Sequence, residues 1–281
     1  MKVLFGPAGN SDSFSKEYKS SKNAPLWLKK KGLTAYEYQC GRGVNIGEVT
    51  AGAIGEEAKL HGIQISLHSP YYINLSSAEP ERIEKNIRYI LESSKCVDVM
   101  GCTRIVIHMG GLSKMTREEA MENTKINVRA FLKALDENGL SHIVPCIETM
   151  GKINVLGTLE EVLEICQLDE RLLPCIDFGH LNARTHGSLN SYEAFAELFD
   201  KMENAIGLER AKRFHSHFSK IEYSKGGEVK HLTFEDEKYG PDFDHIAKII
   251  KEREYSPTFI CESAGTQAED AVIMKTIFEN I

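Results

Sequence analysis

The sequence contains no apolar run approaching the roughly 20 residues that a membrane-spanning helix needs. Its N-terminal stretch has a positive charge at Lys2 but no apolar core of about 7–15 residues, so no secretory leader is expected. There is no Cys-x-x-Cys pair, and the seven cysteines are spaced in a way that does not fit a thiolate metal cluster. Several sit inside apolar runs such as Val144-Pro145-Cys146-Ile147, which reads as reduced, mostly buried thiols of a cytoplasmic protein. An excess of positive charge is also missing: 34 basic against 41 acidic residues leave a formal net charge of −7. That disfavours a globally basic, charge-driven nucleic-acid binder and leaves room only for a locally basic face. Low-complexity tracts, long linkers and short repeats are absent, and 42% hydrophobic with 27% charged residues is ordinary globular composition.

What is present is an alternation. Short β-rich runs occur at residues 3–6, 35–40, 64–68, 104–108, 143–148, 173–177, 213–217 and 258–262. Helical periodicity fills most of the gaps: residues 80–100 carry Ile83, Ile87, Ile90 and Leu91 at helical spacing, and 116–138 carry Met121, Ile126, Val128, Phe131, Leu132 and Leu135. Residues 159–166, 191–202, 243–251 and 268–278 read as helices too, and Thr158 with Glu161 predicts a capping box. Strands alternating with helices imply a parallel sheet. No Gly-x-Gly-x-x-Gly follows the first strand, which argues against an open dinucleotide-binding sheet. Eight strands in 281 residues predict a closed (β/α)8 TIM barrel, one domain over residues 1–281.

The ends of these strands carry the chemistry. Strand three ends at His68, four at His108, five at Glu148, and six at Asp177 with His180 three residues on. Strand seven ends at His215 and His217, and strand eight at Glu262. In a barrel these ends converge on the mouth that hosts catalysis. Any one of them has a plain structural explanation, as a satisfied polar residue or a helix cap. Clustered together they need a compensating partner, and a divalent cation supplies it. Nitrogen and oxygen ligands without thiolates suit zinc, manganese or iron. One ion takes three or four protein ligands plus water. His68, His108, Glu148, Asp177, His180, His217 and Glu262, with His231 from the loop after strand seven, exceed that number. The excess points to two or three ions with Glu148 as a bridge, an arrangement that recurs in phosphoester hydrolysis.

These residues, in this order, resemble the endonuclease IV family of apurinic/apyrimidinic endonucleases (AP endonuclease family 2), within the xylose isomerase-like TIM barrel superfamily. His68-Ser69-Pro70-Tyr71-Tyr72-Ile73-Asn74-Leu75 is similar to the family's His-x-x-Tyr-Leu-Ile-Asn-Leu segment. Ile107-His108-Met109-Gly110 is like its His-Pro-Gly, Ile147-Glu148 like its Ile-Glu-Asn, Asp177-Phe178-Gly179-His180 like its Asp-x-x-His, and Cys261-Glu262 like its Leu-Glu. The resemblance runs motif by motif along most of the chain. It implies a DNA-repair hydrolase of the deoxyribonuclease IV type, acting in base excision repair. Such an enzyme cuts damaged double-stranded DNA 5′ to an abasic site with a metal-activated hydroxide. It also implies two or three zinc ions, with manganese as the other candidate. His68, His108 and Glu148 would hold the first. Glu148, Asp177, the strand-seven histidine and Glu262 would hold the second, and His180 with His231 the third. Glu148 and Glu262 are the candidate catalytic carboxylates. Tyr71 and Tyr72 stand where the family enters the DNA minor groove, and Arg42 where it has a DNA-contacting loop; both sets have the alternative of simple rim packing or solvation. No membrane and no obligate protein partner are implied.

The sequence also departs from the family. Val229-Lys230-His231 stands where the family has Asp-Arg-His, so the third-ion aspartate is missing and Glu228 is the candidate substitute. Strand seven offers both His215 and His217, with His217 preferred because an apolar residue follows it. The alternative function is a one-metal sugar isomerase or epimerase, because Glu148, Asp177, His217 and Glu262 also resemble the four ligands that xylose isomerase-like enzymes use for one manganese. A non-catalytic binding barrel is a third possibility.

Overall fold

The computed structural model describes residues 2–281. Ten strands follow one another along the chain: β1 (Leu4–Pro7), β2 (Ala35–Gln39), β3 (Gln64–His68), β4 (Arg104–Ile107), β5 (Val144–Glu148), β6 (Leu173–Asp177), β7 (His215–Phe218), β8 (Ile221–Ser224), β9 (Gly227–His231) and β10 (Thr258–Cys261). Among the described residues, eight of them form one parallel sheet in the order β1-β10-β7-β6-β5-β4-β3-β2. The open edges, β1 and β2, meet at a seam. Thr34 N–H donates to the Phe5 carbonyl at 2.9 Å, Gly9 N–H donates to the Glu37 carbonyl at 2.8 Å, and Ala8 bridges Glu37 in parallel. The sheet is therefore a nearly closed TIM barrel. Every one of its strands matches an expected run to within two residues at each end.

Strands covered on both faces read as continuous apolar runs rather than alternating ones, as Ile105-Val106-Ile107 does here. The helix Arg117–Glu137 turns Met121, Val128, Phe131, Leu132 and Leu135 inward, one face at helical spacing, whereas Ile126, expected in the same stripe, falls off that face and is 60% exposed. Its start is a capping box between Thr116 and Glu119, and Leu159–Cys166 starts with the expected box between Thr158 and Glu161. Between sheet and helices lies an aromatic cluster. Phe259 stacks on Phe5 with centroids 5.6 Å apart and meets Phe243 edge-on at 5.0 Å. None of the described helices is long and apolar enough to cross a membrane.

The sequence reading missed several elements. The helix Glu48–His61 buries mainly small residues, Ala51, Gly55 and Ala58, around Ile54, so its stripe is faint. Phe178–Arg184 begins directly after β6, with Asp177 as its cap. The antiparallel hairpin β8–β9 lies outside the barrel, and His231, expected in a loop, ends its second strand. Both hairpin strands are largely polar, which hides their two-residue period.

The seam depends on Gly6, because a Cβ there would overlap the Ala35 carbonyl of the adjoining strand. Gly6→Ala is expected to destabilise the fold by about 1–3 kcal/mol through overpacking. Urea denaturation would show this as a lower midpoint at unchanged slope.

Candidate metal centre

Parallel strands deliver their C-terminal ends to one mouth. His68, Glu148 and Asp177 close β3, β5 and β6, His217 sits within β7, and His108 and Glu262 immediately follow β4 and β10. The centre of the group is the buried Glu148 carboxylate. Its Oε2 lies 2.9 Å from His108 Nε2 and 3.2 Å from His68 Nε2; its Oε1 lies 3.1 Å from His217 Nδ1 and 3.5 Å from His180 Nδ1. Glu262 Oε1 is 3.5 Å from the same His217 nitrogen. Among the described residues, ligand-type atoms gather within 4.8 Å of one another in four sets: His68–Glu148–His217 and Glu148–Asp177–His217–Glu262, which overlap, His180–Glu228–His231, which shares no member with them, and the deeper Cys175–His215–His217. His68, His108, Glu148, His180, Glu228 and Glu262 line a cleft of about 660 Å³, whereas Asp177 and His217 are fully buried.

The orientation of the rings tells what the sets lack. His68 Nδ1 donates to the Ser69 carbonyl at 2.7 Å, and His180 Nδ1 donates to the Thr149 carbonyl at 2.9 Å. A carbonyl only accepts, so both Nδ1 atoms carry protons. In the neutral rings the bare Nε2 atoms then face carboxylates, Glu148 at 3.2 Å and Glu228 at 3.4 Å. Two acceptors facing each other require a proton or a cation between them. Protons fill that need in the metal-free protein. Burial alone would lower His180, but the charges of Asp177, Glu148 and Glu228 outweigh it and push the ring up to about 10. Burial likewise opposes His68, and the bond and charge from Glu148 raise it. Glu148 would be raised by burial, yet the charges on His108 and His217 hold it well below the usual carboxylate range. Asp177 Oδ1 caps the following helix by accepting His180 N–H at 2.7 Å, while its buried Oδ2 lies 3.0 Å from His180 Nδ1 without an aligned hydrogen bond, that proton being given to the Thr149 carbonyl. Each observation fits divalent cations: imidazoles anchored by one nitrogen with the other free, and carboxylates short of positive charge.

The third set owes its acid to the hairpin. Gly227, at φ +87°, lies against the Gly151 carbonyl, where a Cβ would overlap it. Glu228 N–H then donates to Gly151 at 3.1 Å, bringing the Glu228 carboxylate beside His180, with His231 Nε2 at 4.0 Å. Ser219 partners His231 Nδ1 at 2.8 Å. Glu228 therefore stands with His180 and His231 in this set, while Val229 is 51% exposed.

His217 faces Glu148 and Glu262, whereas His215 lies one layer deeper against Glu37 at 2.9 Å, where burial pushes it down to about 4. Cys175 also lies near both histidines, but burial raises its thiol far above the usual range, so it stays protonated. Tyr71, 53% exposed, stacks over His108 with centroids 5.5 Å apart, its hydroxyl donating to Gln39 at 3.1 Å. Tyr72 instead packs edge-on against Tyr89 at 4.8 Å, and Arg42 is exposed in the loop whose Gly41 carbonyl accepts Tyr71 N–H at 3.1 Å. Glu37, Thr149, Gln39 and Ser219 escaped the sequence reading. Only Glu37, a charge inside an otherwise strand-like Tyr36-Glu37-Tyr38, carried a signal.

Residues 26–277 match the family described as the xylose isomerase-like TIM barrel. The chain belongs to this family. An uncharacterised protein of Methanocaldococcus jannaschii is 34% identical over 97% of this chain and 96% of its own. A "Probable endonuclease 4" of Oceanobacillus iheyensis is 30% identical over 63% of this chain, a match that spans 59% of that relative. Among solved structures of the family's fold, endonuclease IV from Thermus thermophilus superposes with a TM-score of 0.67 at 18% identity over the whole of both chains. A D-tagatose 3-epimerase-like protein does so with 0.69 at 20% identity over 99% of this chain and 96% of its own. At these identities the superpositions speak for the fold alone. Curated relatives and fold neighbours thus include a named endonuclease and an epimerase-like protein.

If Glu228 completes the third set, Glu228→Ala should lower bound divalent metal by about one ion per chain. Elemental analysis of the variant beside the parent protein checks this, and equal metal content would remove Glu228 from the centre.

Proposed function

We propose that the protein is a metal-dependent phosphodiester hydrolase that cuts double-stranded DNA beside an abasic site. The observation that carries this reading is the number of ligand sets. Glu148, Asp177, His217 and Glu262 already make one closed group, and two further groups adjoin it, His68–Glu148 with His108, and His180–Glu228–His231. A single ion leaves five imidazole and carboxylate side chains without a purpose in the cleft. The probable endonuclease 4 relatives, which this chain matches over a little more than half their length, point to the same chemistry.

His68, His108 and Glu148 would hold one ion, Glu148, Asp177, His217 and Glu262 a second, and His180, Glu228 and His231 a third, with zinc suited to this nitrogen- and oxygen-rich set. Bound there, divalent cations supply Lewis acidity toward a phosphate and an activated water. The chain's own residues supply the geometry. Ser69 and Thr149 carbonyls fix two rings, and Glu148 joins the first two groups. Glu262 and Glu228, whose side chains are 14% and 16% exposed, are the acids that border the open cleft. On the rim Tyr71 offers an aromatic face toward a nucleic-acid strand, an arrangement suited to stacking at a gap in the base stack. Local cations would offset the overall negative charge of the protein where a phosphate approaches.

One-metal sugar isomerisation is the second reading, favoured by the self-contained Glu148–Asp177–His217–Glu262 group. Metal content per chain separates the two: two or three zinc ions support hydrolysis, and one manganese or similar ion supports isomerisation. Glu148→Gln should reduce incision of an abasic duplex more than about 100-fold with an intact circular-dichroism spectrum; near-normal turnover would remove Glu148 from the reacting centre. Tyr71→Ala should weaken binding to abasic duplex several-fold more than binding to intact duplex. Tyr72→Ala, buttressed by Tyr89, should do less. Equal losses on both duplexes for Tyr71→Ala would argue against a stacking role.

A further inference from the structure

Beneath the cluster, inside the barrel, lies a second layer of buried polar groups that the proposed chemistry leaves unused. Glu37, in the middle of β2, is fully buried. Its Oε2 accepts Ser66 Oγ–H at 2.9 Å and lies 2.9 Å from His215 Nε2. Its Oε1 accepts Gln39 Nε2–H at 3.1 Å and lies 2.9 Å from His217 Nε2. The far side of His215 settles that ring: Arg104 Nη1 approaches His215 Nδ1 at 3.5 Å, and a guanidinium has donors only. His215 Nδ1 therefore bears the lone pair, and Nε2–H is aimed at Glu37. His217 Nε2 is buried, its N–H is not well directed at any acceptor, and the Glu37 carboxylate is the acceptor within ion-pair reach. The other nitrogen of His217, Nδ1, is hydrogen-bonded to Glu148 Oε1 at 3.1 Å and faces Glu262 at 3.5 Å; a carboxylate only accepts, so this nitrogen donates until a cation takes the proton's place.

We propose that Glu37 is a positioning residue for the metal centre: its negative charge 2.9 Å from Nε2 holds a proton on that nitrogen of His217 and leaves Nδ1 as the one that gives up its proton to a cation beside Glu148 and Glu262. This rests on the metal-centre reading above. A buried carboxylate with imidazole partners gains little stability over apolar packing of the same volume, so the charge at position 37 is accounted for by what it does to His217. Anchoring of a ligating ring through its second nitrogen is a general device of metal sites.

The carboxylate is the group that can serve both rings, because it accepts on both oxygens. An amide cannot. Glu37→Gln must present its NH2 to one of the two histidines, and His215 is already held as a donor by Arg104. The NH2 then faces His217 Nε2, so the ring keeps its proton on Nδ1, covering the atom that points into the site. Geometry survives while the tautomer is wrong, as when an amide replaces a carboxylate beside a catalytic imidazole.

The test uses the full chain as wild type, Glu37→Gln and Ser66→Ala, each stripped with chelator and then titrated with Zn²⁺ and Co²⁺ against a chromophoric competitor. The visible absorption of the Co²⁺ form and the urea midpoint are recorded in parallel. Glu37→Gln is expected to stay folded, to bind one ion about 10–100-fold more weakly, and to change the Co²⁺ absorption. Ser66→Ala, which removes one donor from Glu37, is expected to move the affinity a few-fold in the same direction. A folded Glu37→Gln with wild-type affinity and spectrum overturns the proposal, whatever its urea midpoint. Should Glu37→Gln fail to fold, Ser66→Ala decides: a lowered affinity supports the proposal, and unchanged affinity and spectrum overturn it. A wild-type chain that takes up neither metal overturns the underlying metal reading and this proposal with it, and that outcome is visible before any variant is compared.

Discussion

Four imidazoles crowd one buried carboxylate. Glu148 sits within 3.5 Å of nitrogens from His68, His108, His180 and His217, and much of the upper half of the barrel is arranged around the need to neutralise it. An unpaired charge at this depth would cost several kcal/mol. Two of those rings are therefore tied back to main-chain carbonyls, so that their free nitrogens face acids. The same arrangement that makes the site electrostatically demanding without metal makes it receptive to divalent cations, because a cation can replace the protons that the histidines otherwise hold.

Position in the fold converts this local demand into a site. The parallel sheet brings strand ends from β3 to β10 to one mouth. Its seam closes through Gly6, and the hairpin β8–β9, docked glycine against carbonyl, swings Glu228 over His180. Below the mouth, Arg104, His215 and Glu37 extend the polar column into the barrel, where apolar side chains alone would fill the space. Around this column the packing is conventional, with an aromatic cluster between sheet and helices. The molecule is thus polar along its axis and apolar in the shell.

The relatives and fold neighbours of this chain include a probable endonuclease 4 and an epimerase-like protein, so membership of the xylose isomerase-like TIM barrel family alone does not choose a chemistry. The proposal of hydrolysis rests on the side chains beyond Glu148, Asp177, His217 and Glu262: His68 at the end of β3, His108 just after β4, and His180, Glu228 and His231 on the short helix and the hairpin. Tyr71, stacked over His108 and tethered to Gln39, joins the rim to the interior, since Gln39 also donates to Glu37.

The barrel was legible in the sequence because its evidence is local. Continuous apolar runs, helical stripes and capping residues each occupy a few adjacent positions, and strand-terminal histidines and carboxylates mark themselves by standing at the ends of those runs. His68, His108, Glu148, Asp177, His180 and Glu262 could be named from position alone. The choice of His217 over His215 could not be made firmly, because the two lie on the same face of one short strand and only the closed barrel decides which of the two layers reaches the mouth. The hairpin's polar strands lacked a period to read, and nothing in the sequence placed Glu228 beside His180, which follows from Gly227 meeting Gly151. Glu37 lies 178 residues from His215, and nothing in a linear chain relates them. The sequence by itself determined which residues end the strands, since that depends on neighbours in the chain; which nitrogen faces which oxygen was decided only when the closed barrel brought distant strands together.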